Sequence, residues 1–156
     1  MTERYPSSAI RCRLVRFSEA EFAECAAIRH TVFVWEQHVP VEEEMDELDA
    51  QATHVLATVG EEVAGTGRLI LMDGSSAKVG RMAVLPAHRG RGVGSTILQT
   101  LLDAARERGV RHVSLASQLQ AIPFYRRFGF VEEGEEFFDA GIRHRMMTCQ
   151  LGQDAR

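Results

Sequence analysis

The chain has no apolar run approaching the ~20 residues of a membrane-spanning helix. Its 156 residues, 45% of them hydrophobic, are enough for a globular fold with its own core. Residues 1–8 carry charge early and have no apolar stretch, so we expect no secretory signal. These absences predict a single cytoplasmic domain over residues 1–156, with a core at about residues 11–151.

Cysteine and metal-binding patterns are equally sparse. Cys12, Cys25 and Cys149 are widely spaced and form no C-x-x-C pair, which favours reduced thiols over disulfides or a zinc site. The histidines are too dispersed for metal-ligand spacing, so no metal is expected. The net charge of −4 and the scattered basic residues argue against a nucleic-acid partner, and no membrane partner is expected either.

One stretch departs from this scattered pattern. Three glycines alternate with Arg89 and Arg91 up to Gly94, after an apolar run that ends at Leu85 and before an amphipathic stretch over 95–108. A strand, a glycine-rich turn and a helix start form an anion site, because the backbone N–H groups can turn inward and the helix dipole adds positive charge. Two guanidiniums suit a diphosphate.

The spacing of these glycines excludes two common kinds of phosphate-binding loop. A P-loop is excluded because no lysine follows any of the glycines. A dinucleotide-binding G-x-G-x-x-G is excluded because its third glycine would fall at Ser95 or Ile97. The pattern present is Arg89-x-x-Gly92-x-Gly94. An ordinary loop that caps a helix is the alternative.

Hydrophobic periodicity predicts the element order β-α-β-β-β-α-β-α-β-β. A capping box at Ser18–Glu21 is expected to start the first helix, which runs through Arg29 and ends at Val32–Trp35, before a break at 37–40. The middle of the chain is expected to form an antiparallel meander followed by a parallel crossover. The predicted strands are 10–17, 54–59, 63–72, 77–85, 110–117, from 130, and 142–151, and the later helices are 95–108 and 121–128.

A second motif lies beyond the glycine-rich loop. The segment over 122–130, Ile-Pro-Phe-Tyr-Arg-Arg-Phe-Gly-Phe, together with the loop and the element order, resembles the GNAT superfamily of CoA-dependent N-acetyltransferases. The resemblance extends from Arg11 to Leu151. It implies an α/β (α+β) GNAT fold, with a mixed, mostly antiparallel sheet of about six to seven strands flanked by helices.

Two further stretches resemble a small bacterial subgroup of this superfamily, whose members mostly lack an assigned substrate. The first is Arg29-x-x-Val32-Phe33-Val34-x-Glu36-Gln37. The second comprises Gly134-Glu135-Glu136-Phe137 and, a little later, Gly141-Ile142-x-His144.

The resemblance implies transfer of an acetyl group from acetyl-CoA to a primary amine by direct attack, without a covalent enzyme intermediate or a metal. Tyr125 would protonate the departing thiolate, since a phenol with a pKa of ~10 is protonated at neutral pH. Its alternative role is packing in a Phe-rich helix. The main chain of Met82 and Val84 would pair with pantetheine. The pyrophosphate would be held by Arg89, Gly90, Arg91, Gly92, Val93, Gly94 and Ser95.

Several residues are candidates for the general base. His54 begins a central strand, and His144 lies on the last strand. Glu44, Glu47 and Glu136 are alternatives, and a base acting through water, or no single base, stays open.

An acidic stretch has two interpretations, and it does not identify the substrate that accepts the acetyl group. Glu36 is followed by six acidic residues within 41–51, which are either a solvated loop or a rim that attracts a cationic amine. The acceptor could be a small molecule or a protein amino group, and edge pairing through the last strands would permit a homodimer. The alternative function is a non-catalytic acyl-CoA-binding regulatory module. A nucleotide-dependent transferase is disfavoured because no lysine or Mg²⁺-binding carboxylate pair adjoins the loop.

Overall fold

The computed structural model describes residues 4–6 and 9–152. Residues 1–3, 7–8 and 153–156 lie outside the described residues. The first two of these ranges belong to the segment that we expect to lack a secretory signal. The strands are β1 Ile10–Arg16, β2 Thr53–Val59, β3 Glu62–Leu71, β4 Ser76–Val84, β5 His112–Gln118, β6 Val131–Asp139 and β7 Ile142–Gln150. The helices are α1 Phe22–Arg29, α2 Val41–Glu44, α3 Val93–Glu107 and α4 Ile122–Arg126.

The strands form one seven-stranded sheet in the order β1-β2-β3-β4-β5-β7-β6. Only the β4–β5 pair is parallel. This confirms the predicted mixed, mostly antiparallel sheet flanked by helices. Within the described part of the chain, no helix is long and apolar enough to cross a membrane.

Helix α3 packs unusually close to the sheet. Its buried stripe includes Ile97, Leu98 and Leu101, as the apolar periodicity predicts. Beneath it, β3 carries Gly65 and Gly67, where an added Cβ would lie only 2.8 Å and 2.9 Å from Ile97 side-chain atoms. The absence of side chains at these glycines therefore lets the helix approach β3 directly. The helix begins a few residues after the end of β4.

The predicted capping box at Ser18–Glu21 is wrong. Helix α1 begins at Phe22, and the residue before it, Glu21, makes no side-chain capping bond. The carboxylate of Glu19 instead accepts hydrogen bonds from the Arg13 side chain and from the Arg16 backbone, which stabilises a turn before the helix. After Arg29 the helical path continues as a π-helix over His30–Glu36, so it ends close to the predicted Val32–Trp35 segment.

The parallel pair β4–β5 separates soon after it begins. The two strands pair only over Ser76–Lys78 and His112–Ser114, although β4 continues to Val84 and β5 to Gln118. The edge of β4 facing β5 therefore has no strand partner among the described residues from 79 to 84. An open gap in the sheet follows from this separation.

A bulge in β4 changes which face its side chains occupy. Across from β4, Thr66 pairs with Ala83 and Arg68 pairs with Gly80, so Gly67 alone faces two residues of β4. One of these two, Arg81, has a left-handed backbone (φ 52°). The extra residue reverses the alternation of side chains along the strand. Before the bulge Ala77 and Val79 pack with α3, and after it Met82 and Val84 do so.

Candidate active site

Two cavities open on opposite faces of the sheet and meet at the gap between β4 and β5. The larger, about 610 Å³, lies on the side of α1 and α2. The smaller, about 410 Å³, lies on the side of α3 and α4. Five residues line both cavities, namely Met82, Ala83, Val84, Arg89 and Tyr125. A molecule lying in the gap would therefore reach both faces of the sheet.

The smaller cavity contains the glycine-rich loop. Gly92 precedes α3 in a left-handed conformation (φ 95°) that disfavours other residues, so the first N–H groups of the helix face the turn. Seven of the nine residues expected to bind the cofactor line this cavity: Met82, Val84, Arg89, Gly90, Gly92, Gly94 and Ser95. The other two do not line it. Val93 is buried in the core, and the Arg91 guanidinium lies over the Tyr5 ring.

The Arg89 side chain already has partners. Its Nη1 and Nη2 donate to both carboxylate oxygens of Glu36, at 2.7 Å and 2.6 Å, and its Nε donates to the Val84 carbonyl at 2.8 Å. Hydrogen bonding to Arg89 lowers the pKa of the Glu36 carboxyl, and the same contact raises the pKa of Arg89. This pair links the end of the π-helix to the glycine-rich loop.

Two other arginines line the smaller cavity, and sequence reasoning did not single them out. Arg4 lies so close to Gly92 that an added Cβ there would be 2.7 Å from its Nη2. Arg127 lies over the Phe124 ring, 5.6 Å from the ring centre. Arg127 stands within the 122–130 motif, whereas no sequence signal connects Arg4 to a loop more than eighty residues away.

Tyr125 lies where the two cavities meet. The residue is only 8% exposed and packs edge-on against Phe124 and Phe130. Burial raises the pKa of the phenol above its ordinary value. The hydroxyl therefore stays protonated throughout the neutral range. Packing and proton donation are compatible here, because the same ring contacts that bury the residue also fix its position.

His144 lines the larger cavity together with Tyr125. Its Nδ1 lies 2.7 Å from the Ile142 carbonyl, and its ring stacks on Phe137. Because a carbonyl oxygen only accepts hydrogen bonds, Nδ1 carries a proton. In the neutral ring Nε2 is then the basic nitrogen.

The other base candidates are not brought together with Tyr125. His54 is 1% exposed and lines neither cavity; its Nε2 donates to the Asp49 carbonyl, and burial lowers its pKa. Glu136 is exposed on β6 beside Arg143, and neither it nor Glu47 lines a cavity. Glu44 does line the larger cavity, but its carboxylate is paired with Arg29.

Half of the acidic stretch belongs to a buried charge cluster. Arg29, which is fully buried, donates to Glu44 at 2.6 Å and to Asp49 at 2.7 Å. Arg68 bridges Asp49 and Asp46, and Arg81 reaches Asp46 at 3.1 Å. Three arginines thus neutralise three carboxylates. Neither interpretation from the sequence, a solvated loop or an acidic rim, describes these three residues.

Within the residues that the structure describes, no group of three or more His, Cys, Asp or Glu side chains is placed to hold a metal ion.

Comparison with known proteins identifies the family. The acetyltransferase (GNAT) domain family matches residues 17–151. The chain belongs to this GNAT family. An uncharacterized N-acetyltransferase of Bacillus subtilis, YjcF, is 41% identical over 131 residues, covering 83% of this chain and 93% of YjcF. Membership of the family supports a transferase that takes an acyl group from coenzyme A.

Solved structures show the same GNAT fold. The crystal structure of Escherichia coli ElaA has a TM-score of 0.80 at 25% identity, over 90% of this chain and 99% of ElaA. An acyl-CoA N-acyltransferase from Pseudomonas aeruginosa has a TM-score of 0.78 at 25% identity, over 90% of this chain and 99% of its own.

The subgroup motif at residues 29–37 has a structural explanation in this GNAT chain. Arg29 anchors the charge cluster, and Phe33 lines the larger cavity. Glu36 holds Arg89, and Gln37 accepts a hydrogen bond from Gln118 at the end of β5. The motif therefore joins the wall of the larger cavity to both strands that border the gap.

Proposed function

We propose that this protein transfers an acetyl group from acetyl-CoA to a primary amine by direct attack. In this proposal the cofactor occupies the smaller cavity, with pantetheine along β4 beside Met82 and Val84. The acceptor amine enters from the larger cavity. The observation that carries the proposal is that Tyr125 lines both cavities at the gap between β4 and β5.

The proposed phosphate site differs from the one that the motif suggests. The N–H groups at the start of α3 bind the pyrophosphate, helped by the helix dipole. Arg4 and Arg127 supply the cationic side chains, since both line the cavity and Arg89 is paired with Glu36. Arg89 then contributes mainly by holding the loop against the end of the π-helix.

The proposed reaction needs one proton acceptor and one proton donor. The amine nitrogen forms a bond to the thioester carbon, the C–S bond breaks, and the thiolate leaves with its electron pair. His144 Nε2 receives the proton that the amine loses, which its tautomer supports. The Tyr125 hydroxyl donates a proton to the thiolate and is afterwards reprotonated from solvent.

Steady-state kinetics test the proposal. Release of the CoA thiol is measured with acetyl-CoA and a panel of primary amines, for the wild type, Tyr125→Phe and Tyr5→Phe. We expect Tyr125→Phe to lower kcat by about 100-fold, the usual effect of removing a general acid, and to leave the KM for acetyl-CoA nearly unchanged. Tyr5→Phe is the matched control, because Tyr5 touches His88 and Arg91 and lies outside both cavities.

An unchanged kcat in Tyr125→Phe would contradict the role of the phenol. Tight acetyl-CoA binding without thiol release for any amine would instead favour a non-catalytic acyl-CoA-binding module.

A further inference from the structure

The wall of the larger cavity contains a cation that has no partner. Lys78 is the only lysine of the sequence, and it lines this cavity. It stands at the last paired position between β4 and β5, opposite Ser114, directly below the gap. Among the described residues its ammonium group has no hydrogen-bond or ion-pair partner. Its neighbours Ala77 and Val79 pack with α3, so the Lys78 side chain points to the opposite face, toward α1 and α2.

A second cation lies on the same face three residues later. The bulge in β4 turns Arg81 toward α2, where its Nε donates to the Glu44 carbonyl at 3.0 Å and its Nη2 to the Glu43 carbonyl at 3.3 Å. The remaining terminal nitrogen, Nη1, has no hydrogen-bond partner within the described part of the chain. A left-handed arginine is a strained conformation, and such strain is often retained at binding sites.

Gly80 leaves open space between these two cations. Its φ is not in the left-handed region, so the backbone does not require glycine here. An added Cβ would meet no atom within 4 Å, so close packing does not require glycine either. Lys78, Gly80 and Arg81 all line the cavity. The glycine therefore provides room at the cavity wall between the two cationic residues.

The remaining charges of the wall are either neutralised or of opposite sign. Of the other carboxylates that line this cavity, Glu44 is paired with Arg29 and Arg81, and Glu36 is paired with Arg89. Glu43 and Asp139 line the cavity as exposed carboxylates. Within the part of the chain that the structure describes, the wall thus offers the unpaired ammonium of Lys78 and the free Nη1 of Arg81, an arginine whose charge is already shared with Asp46 and Glu44. Its two exposed carboxylates suit an ammonium group.

From this arrangement, and resting on the acetyltransferase function proposed above, we propose that Lys78, Gly80 and Arg81 form a subsite for an anionic group of the acceptor. The acceptor would then be an amine that also carries a carboxylate, bound through the carboxylate at β4 while its amino group lies in the gap. Charge-assisted hydrogen bonds from Lys78 and Arg81 Nη1 would hold the carboxylate.

The test compares acceptors that differ only in this charge. A series of ω-amino carboxylates of increasing chain length is assayed by thiol release, each beside its own carboxamide. We expect the best carboxylate to have a KM at least about tenfold below that of its carboxamide, as removal of a charge-assisted contact implies. Lys78→Met should erase this difference by raising only the KM for the carboxylate, and Lys78→Arg should retain it.

Gly80→Val provides an independent variant, because it fills the open space without removing a charge. It should raise the KM for the carboxylate and leave acetyl-CoA affinity unchanged, which also shows that the variant is folded. Equal use of carboxylates and carboxamides, or equal effects of Lys78→Met on both, would overturn the anion subsite alone. Acetyl-CoA binding without thiol release for any amine would overturn the transferase proposal and the subsite with it.

Discussion

The two faces of the sheet are built from the sequence in different ways. The smaller cavity takes most of its lining from two short stretches, residues 82–95 and 124–127. The larger cavity draws on the π-helix, the acidic stretch, β3, β4, β5 and the last two strands. A site made of contiguous residues has a recognisable spacing, whereas a site made of distant residues acquires its pattern only when the strands pair.

Their charges differ as well. On the face of the smaller cavity, the cations Arg4 and Arg127 lie at the surface. On the other face, Arg29 and Arg68 are buried with their carboxylates. The first arrangement suits an exchangeable anionic ligand, and the second fixes the position of the cavity wall. Substitutions on the two faces should therefore affect different measurements.

Arg29→Met should give the largest effect, and it should appear in folding stability. Removing the guanidinium leaves Glu44 and Asp49 buried without their main partner, which typically costs about 3–5 kcal/mol. Urea denaturation of Arg29→Met and of Arg13→Met checks this. Arg13 also pairs with a glutamate, but at the surface, so its variant should be close to wild type. Similar losses of unfolding free energy in both variants would show that the buried ion pairs matter no more for stability than the surface pair.

Gly92→Trp should act on the opposite face, with the next largest effect. A tryptophan at φ 95° is strained, and its side chain would occupy the space of Arg4 and the smaller cavity. We expect the Kd for CoA, measured by calorimetry, to rise by more than about 100-fold. Gly74→Trp is the control, since Gly74 has φ 69° in an open turn away from both cavities. A weakened Kd in the control as well would indicate a general loss of folding.

Arg4→Ala should have a smaller effect of the same kind. Loss of one cation from a phosphate site should weaken CoA binding by about tenfold at low salt and by less at high salt, because salt screens exposed charges. Titrations at two ionic strengths check both expectations. Arg11→Ala, an exposed arginine on β1, should leave the Kd unchanged. A Kd within twofold of wild type for Arg4→Ala would assign the phosphates to the helix start and Arg127 alone.

His54 should give the smallest effect, a pH dependence of stability. Burial lowers its pKa in the folded protein, so below pH ~6.5 the unfolded chain binds a proton that the folded chain does not. Stability should therefore fall as the pH decreases from 7 to 5, with a slope below the ~1.4 kcal/mol per pH unit of one proton. His54→Gln should flatten this slope relative to His30→Gln, an exposed control. Equal slopes would contradict the expectation.

The sequence predicted the parts that depend on local spacing. The order of the seven strands and of α1, α3 and α4 follows from periodicity, whereas α2 was not predicted. Two short motifs indicate the glycine-rich loop and Tyr125. Met82 and Val84 also line the expected cavity. The tautomer of His144 depends on a backbone carbonyl two residues away, which only the fold of β7 brings into contact.

The parts that failed depend on contacts between distant residues. The six acidic residues within 41–51 look solvated in a sequence, yet three of them pair with Arg29, Arg68 and Arg81, which come from α1, β3 and β4. The capping box failed because α1 begins only at Phe22, after a turn that the Glu19 carboxylate stabilises through Arg13 and the Arg16 backbone. Arg4 and the Glu36–Arg89 pair could not be inferred, since each joins segments separated by more than fifty residues.

The bulge at Arg81 changes which face of the sheet the side chains of β4 occupy. Before the bulge Lys78 faces the larger cavity, and after it Met82 and Val84 pack on the α3 side, because one extra residue shifts the alternation of side chains by one position. Removing that residue would send every later side chain of β4 to the other layer. The length of this strand is therefore under tighter constraint than its composition, and β4 should tolerate substitution far better than insertion or deletion.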